Sequence, residues 1–170
     1  VVRYGYLVTG NEPPRHKHDR WHPDTLLCDP YAPLIDGRRV FGDRASAPHG
    51  EDSVWMGCFS FDATPFDWEG VTPPALPPQD LVVYELTTRA FTADASSGVP
   101  AGRRGSFLGI ADKVQHLKDA GINAVELLPV FHFDEMEFQR CKNPRDHMLN
   151  TWGYSTMSFF APMCVYASEG

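Results

Sequence analysis

The chain has 170 residues, of which 42% are hydrophobic and 22% charged, and this is the composition of a globular protein rather than a disordered one. Its formal net charge of −7 argues against a nucleic-acid or anionic-membrane partner, because both require a basic surface. The longest apolar run, AVELLPVF at 124–131, is far shorter than the roughly 20 residues that cross a bilayer, so we expect no membrane-spanning segment.

The N-terminal part of the chain has the pattern of short antiparallel strands. RYGYLVTG at 3–10 and SVWMGCFSF at 53–61 are aromatic and partly alternating, and turn residues separate them. We therefore interpret residues 1–71 as the end of an antiparallel β domain. Four prolines lie within the next few positions, Pro73, Pro74, Pro77 and Pro78, and they predict a linker at 72–79.

From residue 80 the pattern changes to strand, helix and strand. DLVVYEL at 80–86 is rich in β-forming residues, and SFLGIADKVQHLKDAG at 106–121 places its apolar residues on one helical face. Ser106 is a candidate N-cap and Gly121 a candidate C-cap of this helix. INAVELLPV at 122–130 is apolar almost throughout, which is typical of a strand covered on both faces.

This order predicts a βαβ unit in which one helix of about 13 residues connects two parallel strands by a right-handed crossover. Doubly wound sheets and (β/α)₈ barrels both begin in this way, and periodicity does not separate them. The first strand is not followed by G-x-G-x-x-G, which disfavours a dinucleotide site.

Cysteine and histidine residues do not follow the spacing of a common metal site. The cysteines lack close C-x-x-C pairing, and we interpret them as reduced structural thiols: Cys28, Cys58, Cys141 and Cys164. Three histidines crowd RHKHDRWH at 15–22 and are an alternative metal site, but their charged neighbours favour an exposed loop: His16, His18 and His22. We therefore predict no metal and no cofactor.

Three segments together resemble a known enzyme family. They are RWHPDTLLCDPYAPLIDGRRVFG at 20–42, LVVYELTTRAFT at 81–92 with GINAVELLP at 121–129, and NPRDHMLNTWGYSTMSFFAPMCVYASEG at 143–170. They are similar to isoamylase-type debranching enzymes of the α-amylase superfamily, glycoside hydrolase family 13. The last segment is most similar to the third plant isoamylase class.

The resemblance implies an α/β fold in which the end of a β-sandwich, like a carbohydrate-binding module, precedes the first βαβ part of a (β/α)₈ barrel. The implied domains are the end of the module at 1–71, the linker at 72–79 and the start of the catalytic barrel at 80–170. The implied reaction is retaining hydrolysis of α-1,6-glucosidic branch points. Alternatives are a non-catalytic glucan-binding or regulatory subunit and a glucan branching enzyme.

The chain carries acidic residues that invite assignment as a catalytic pair, namely Asp134, Glu135 and Glu137 in HFDEMEF. The resemblance argues against this assignment, because the family places its carboxylates on later barrel strands, whereas this chain supplies the first two. We therefore expect no catalytic residue in this chain, and no debranching activity from these 170 residues alone.

The stretch LNTWGYSTMSFFAP at 149–162 contains the candidate substrate-binding residues. By resemblance, Tyr154 corresponds to the tyrosine that stacks on a glucose ring at subsite −1. Asn150 either orients this tyrosine or caps a turn. Trp152 is a further candidate for glucan contact, although packing beneath the loop is the more frequent role of such rings, and we expect Phe159 and Phe160 to pack there.

The resemblance also implies the partners and the location. The expected partner is a branched α-glucan, such as amylopectin, glycogen or limit dextrin, with no nucleic acid and no membrane. Homo-oligomers or hetero-oligomers with other isoamylase subunits are a further expectation. The expected location is the plastid stroma in a plant or alga, and the cytoplasm otherwise.

Overall fold

The computed structural model describes residues 1–9, 26–47, 55–62, 64–140 and 147–168. The chain divides into two compact units, of which the first joins Val1–Ser60 to Phe131–Val165 and the second joins Phe61–Val130 to Tyr166–Gly170. The grouping of 131–165 with the N-terminal strands differs from the division expected at 71 and 80. That division of this chain follows from the family resemblance, and it stays a prediction.

The described residues contain short strands and short helices. The strands are β1 (Val2–Tyr4), β2 (Tyr6–Leu7), β3 (Leu26–Leu27), β4 (Leu34–Asp36), β5 (Met56–Phe59), β6 (Val83–Leu86), β7 (Ala124–Leu127), β8 (Phe131–Phe133) and β9 (Thr156–Pro162). The α-helices are α1 (Thr88–Thr92), α2 (Phe107–Asp112) and α3 (Val114–Asp119). Turns of 3₁₀-helix lie at Arg44–Ser46, Pro78–Asp80, Ala95–Ser97, Ala101–Arg103, Glu137–Arg140 and Cys164–Tyr166.

The first unit is built from antiparallel strand pairs. Strands β1, β5 and β4 form one sheet in that order, while β2 pairs with β3 and β8 pairs with β9. The pairing of β8 with β9 contains register shifts, which are typical of bulged strands. A small core of Ala32, Ile35 and Ala161 joins the N-terminal sheet to β9. The antiparallel pairing expected within residues 1–71 is therefore confirmed.

The second unit contains two parallel strands connected through helices. Strand β6 pairs with β7 from Val83 opposite Ala124 to Leu86 opposite Leu127, as predicted. The Ser106 hydroxyl accepts a hydrogen bond from the Gly109 N–H at 3.2 Å, which confirms the predicted N-cap. Gly121 has φ of 80°, and it ends the helical segment in the left-handed conformation that glycine adopts without strain.

The prediction of one continuous helix is wrong, because α2 and α3 are separate helices that meet at Lys113. Lys113 has φ of −99° and ψ of 4°, and its N–H bonds to the Ile110 carbonyl in the tighter i−3 pattern. The regular i−4 series of hydrogen bonds is interrupted there. The Lys113 ammonium also donates to the Ser97 carbonyl at 3.0 Å, outside the helix.

The second strand is partly uncovered in these 170 residues, and the expectation of cover on both faces concerns the complete barrel and stays a prediction. Val125 is 40% exposed and Leu127 is 39% exposed. In the described residues β6 and β7 form a two-stranded sheet, so β7 has one neighbouring strand. Beside it lies an open groove of about 740 Å³, lined by Pro74, Leu76, Val114, Leu117, Lys118, Gly121, Ile122, Asn123, Ala124 and Val125.

Across the part of the chain that the structure describes, no helix combines the length and apolar character required to span a membrane.

Candidate functional site

The segment 150–155, here called the aromatic turn, is held by the side chain of Asn150. This side chain is buried at 3% exposure, and its amide nitrogen donates to the Tyr154 carbonyl at 2.7 Å and to Glu137 Oε1 at 2.9 Å. Its amide oxygen accepts from the Gly153 N–H at 3.0 Å. One buried amide therefore bonds to two backbone groups in the second half of the turn, as side chains of this type do in many tight turns.

The turn requires unusual backbone conformations on either side of Tyr154. Gly153 has φ of 86° and Ser155 has φ of 64°, both in the left-handed region. Glycine enters this region without a steric penalty, whereas serine at this φ is strained and is held by its surroundings. The W-G-Y order is therefore explained by the turn that glycine permits between the two rings.

Both rings of the turn are exposed. Trp152 is 61% exposed and Tyr154 is 59% exposed, although large aromatic side chains are buried on average. The structure thus brings all three candidate binding residues into one turn, with Asn150 inside and the two rings outside. The two roles considered for Asn150 coincide, because the same hydrogen bonds to Gly153 and Tyr154 both cap the turn and orient it.

The expectation that the following rings pack beneath the turn is wrong for Phe159 and Phe160, as it is for Trp152. Phe159 is 66% exposed and lies 6.2 Å, centroid to centroid, from Phe131. Phe160 is 60% exposed and lies 5.2 Å from the ring of Tyr31. The extended strand β9 explains the difference, because its buried positions are Ser158 and Ala161 instead.

The turn rests on residues 134–139. The Asn150 N–H donates to the Glu135 carbonyl at 2.7 Å, and the Gln139 side-chain amide donates to the Met148 carbonyl at 3.2 Å. Glu137 receives the Asn150 side chain, as described above. These bonds fix the position at which the chain approaches the aromatic turn.

The two carboxylates at the start of this segment are buried and ion-paired. Asp134 is 6% exposed and Glu135 is fully buried. Both accept hydrogen bonds from the same guanidinium nitrogen of Arg38, at 2.9 and 3.0 Å. Carboxylates engaged in this way have no open side toward a substrate, and we interpret them as part of the framework of the turn.

His132 lies next to this cluster in strand β8 and is fully buried. Its ring makes an edge contact with Trp55 at 4.9 Å, and neither ring nitrogen has a hydrogen-bond partner among the described residues. Burial lowers the pKa of His132 to about 4; the nearby Asp134 opposes this shift, and the Arg38 charge adds to it. The imidazole is therefore neutral at physiological pH.

The described residues contain no cluster of His, Cys, Asp and Glu that could hold a metal ion. Cys28, Cys58 and Cys164 are free thiols, and burial raises the pKa of Cys164 to about 11. The remaining residues considered for metal binding or thiol chemistry lie outside the described ranges: His16, His18, His22 and Cys141.

The sequence reasoning missed Arg38. It lies in the LIDGRRVFG stretch of the first resembling segment, and no local periodicity distinguishes it from Arg39 beside it. An available signal was the adjacent acidic pair in HFDEMEF, since two neighbouring carboxylates next to apolar residues require a cationic partner when they are buried. Which cation becomes that partner depends on a contact between residues 96 and 97 positions apart in the sequence.

No protein-family model matches the chain. Sequence similarity extends over nearly its whole length to isoamylase 3, chloroplastic, of Oryza sativa subsp. japonica, with 53% identity over 99% of this chain and 21% of the relative. Isoamylase 1, chloroplastic, of Arabidopsis thaliana is 40% identical over 97% of this chain and 21% of the relative. A glycogen debranching enzyme of Yersinia enterocolitica is 36% identical over 98% and 25%.

The structural comparison gives a consistent result. A pullulanase of Paenibacillus barengoltzii, complexed with maltotetraose, aligns with a TM-score of 0.57 at 23% identity, over 84% of this chain and 21% of the pullulanase. A type I pullulanase of Bacillus subtilis aligns with a TM-score of 0.56 at 23% identity, over 88% and 20%. These likenesses show a shared fold. The chain spans about a fifth to a quarter of the length of the curated relatives, and the resemblance found in the sequence is confirmed.

Proposed function

We propose that this chain, similar to isoamylases and glycogen debranching enzymes over at least 97% of its length, is a glucan-binding part of an α-1,6-glucan hydrolase. The substrate would be the branch points of amylopectin-like or glycogen-like glucans. The observation that carries the proposal is an exposed tyrosine, Tyr154, on a turn that buried Asn150 holds from within.

The chemistry explains why a ring is useful at this position. The hydroxyl groups of a glucose ring point outward around its edge, while its faces carry C–H groups, and an aromatic side chain offers a matching apolar face. Tyr154 would stack on the glucose unit at the bond to be cleaved, and Trp152 would contact a neighbouring unit. Asn150 would act by fixing the turn, because its own polar atoms are engaged.

The bond-breaking groups would lie on other parts of the enzyme. A retaining glycosidase requires two carboxyl groups roughly 5 to 5.5 Å apart, one as nucleophile and one as acid and base. The resemblance implies that these groups would lie on later barrel strands, and Asp134 and Glu135 are already paired with Arg38. This chain would therefore supply substrate binding and none of the catalytic carboxylates.

The wider context belongs to the same proposal. Residues 1–71 would end a carbohydrate-binding module, 72–79 would be the linker, and 80–170 would begin the barrel. The two plant relatives named above are chloroplastic by name, which supports a plastid location if the source is a plant or alga. Assembly with other isoamylase subunits would follow from the same relationship.

The test is a kinetic comparison in the full-length protein that contains these residues. Tyr154→Ala should lower kcat at least about tenfold, because a lost aromatic contact of roughly 1.4 kcal/mol in the transition state has that effect. Tyr154→Phe should be milder, since it keeps the stacking face. Phe160→Ala is the matched control, because its ring is equally exposed and lies outside the turn.

Two results would contradict the proposal. If Tyr154→Ala leaves kcat unchanged while lowering the melting temperature, Tyr154 has a structural role only. If the wild-type full-length protein binds amylopectin but releases no linear chains, the protein is a non-catalytic glucan-binding subunit instead.

A further inference from the structure

Arg38 follows strand β4 and is the cation that pairs with the two buried carboxylates described above. Its guanidinium pairs with Asp134 and Glu135 and lies 4.7 Å from the centroid of the Trp55 ring. The side chain is only 11% exposed. A cation in such a dry site interacts strongly with its partners, and removal of one partner leaves an uncompensated buried charge.

The residues that follow Arg38 contact both segments that lead to the aromatic turn. The Gly42 N–H donates to the second carboxylate oxygen of Glu135 at 3.3 Å, and the Arg44 side chain donates to Gln139 at 3.1 Å. Gly42 has φ of +75°, and a Cβ atom there would lie 2.7 Å from a methyl carbon of Leu149. Residues 38–44 thus lie against residues 134–139 and also against Leu149, next to Asn150.

A continuous series of bonds connects Arg38 to Tyr154. Arg38 bonds to the Glu135 side chain, the Glu135 carbonyl accepts the Asn150 N–H at 2.7 Å, and the Asn150 amide donates to the Tyr154 carbonyl at 2.7 Å. Resting on the proposed function, we infer that Arg38 is a positioning residue for the glucan-binding turn, acting through Glu135 and Asn150. It would not itself contact the glucan.

This role differs from simple stabilisation of the first unit. An arginine that only neutralises two buried carboxylates affects how much protein folds and leaves each folded molecule as active as before. A positioning arginine also determines where the rings of the folded protein lie. A displacement of about 1 Å is enough to lower the rate of an enzyme by up to a hundredfold.

The experiment uses Arg38→Lys and Arg38→Met in the full-length protein, with Arg39→Met as the matched control. Arg39 is the neighbouring residue, but it is half exposed and pairs with Asp36, which keeps Arg3 as a second partner. Hydrogen exchange of the Asn150 and Gly153 amides reports the order of the turn directly. We expect exchange about tenfold faster in Arg38→Met, a smaller increase in Arg38→Lys and none in Arg39→Met.

A charge-free variant separates positioning from folding. Arg38→Met combined with Asp134→Asn and Glu135→Gln removes the ion pairs without leaving a buried charge, so it remains testable if Arg38→Met alone does not fold. Faster exchange at Asn150 and Gly153, with a kcat at least about tenfold below wild type and a melting temperature near wild type, would support the inference. Wild-type exchange at these two amides in this variant would overturn it.

The exchange measurement also keeps this inference separate from the proposed function. If the wild-type full-length protein neither binds nor cleaves amylopectin, the proposed function fails. The amide exchange still decides whether Arg38 orders the turn.

Discussion

The aromatic turn of the first unit and strand β7 of the second unit both expose apolar side chains, but different forces fix their backbones. In the turn, the buried side chain of Asn150 bonds to two backbone groups and one carboxylate. In β7, the parallel series of hydrogen bonds with β6 fixes the backbone, and Val125 and Leu127 stand exposed on it.

Exposed apolar side chains therefore have two different explanations in this chain. A ring on a turn held by its own polar network is oriented before a ligand arrives, and such preorganisation reduces the entropy cost of binding. Alternating aliphatic residues on a sheet face have the pattern of residues that bury against another layer. Exposure alone does not distinguish a binding site from an uncovered face, whereas the support of the backbone does.

The largest expected effect concerns the exposed face of strand β7, which carries Val125 and Leu127. The isolated 170 residues should self-associate in solution, because β6 and β7 expose apolar side chains and, among the described residues, form a sheet of two strands whose outer edges attract other chains. Size-exclusion chromatography with light scattering checks this. Val125→Thr with Leu127→Thr should reduce the association, whereas Trp152→Ala should not. A monomer with one sharp melting transition would contradict the comparison.

The next effect concerns the support of the turn. Asn150→Ala should lower the local free energy of opening at residues 150–155 by about 4 kcal/mol, because it leaves several buried or half-buried polar groups without a partner. Native-state hydrogen exchange of the Gly153 amide in the full-length protein measures this. The control is Trp152→Ala, for which less than about 0.5 kcal/mol is expected at an exposed side chain.

If Asn150→Ala and Trp152→Ala lower the free energy of opening equally, the buried amide does not support the turn more than the exposed ring does.

Acidification should destabilise the first unit through His132. Its pKa is lowered from 6.5 to about 4 in the folded state, so the folded protein resists a protonation that the unfolded chain accepts. The associated stability is fully present above pH 6.5 and is lost as the pH falls from 6.5 through 4. At about 1.36 kcal/mol per pKa unit, the loss is roughly 3 kcal/mol.

Urea unfolding at pH 7 and at pH 4 measures this loss, with His132→Phe as the comparison. The variant should be less sensitive to acid than the wild type by a similar amount. The same pH dependence in both proteins would show that other groups cause it.

The smallest effect concerns the helices of the second unit. Ser106→Ala should destabilise α2 by about 1 kcal/mol, because the Gly109 N–H loses its side-chain acceptor. Ser106→Thr keeps a hydroxyl acceptor and should be close to wild type. Hydrogen exchange of the Gly109 amide checks both variants, and an unchanged rate in Ser106→Ala would show that tertiary packing, and not the cap, holds this helix end.

Local features of the fold were predictable from the sequence because neighbouring residues produce them. Ser106 caps the helix that follows it, and Gly121 ends the helical segment in the left-handed conformation. The break at Lys113 was not predictable in this way. Apolar spacing continues across it, and the bond from the Lys113 ammonium to Ser97 depends on a turn earlier in the chain.

The candidate site was predictable in part. The W-G-Y order and the nearby asparagine indicated a turn that presents a ring, and the structure places Asn150, Trp152 and Tyr154 in one turn. The expected burial of Phe159 and Phe160 was wrong. Aromatic residues favour burial on average, but the buried positions of β9 are Ser158 and Ala161, so the elements that pack against this strand decide which of its side chains are covered.

The sequence by itself determined the antiparallel strands, the parallel pair, the helix cap and the resemblance to debranching enzymes, because each depends on short-range spacing or on a continuous motif. Only the tertiary structure decided that Arg38 meets carboxylates 96 and 97 positions away. Two adjacent arginines have the same local propensities, and desolvation distinguishes them, since Arg38 is buried against Asp134 and Glu135 while Arg39 remains half exposed. Burial of a charge is a property of the folded surroundings, which no local pattern contains.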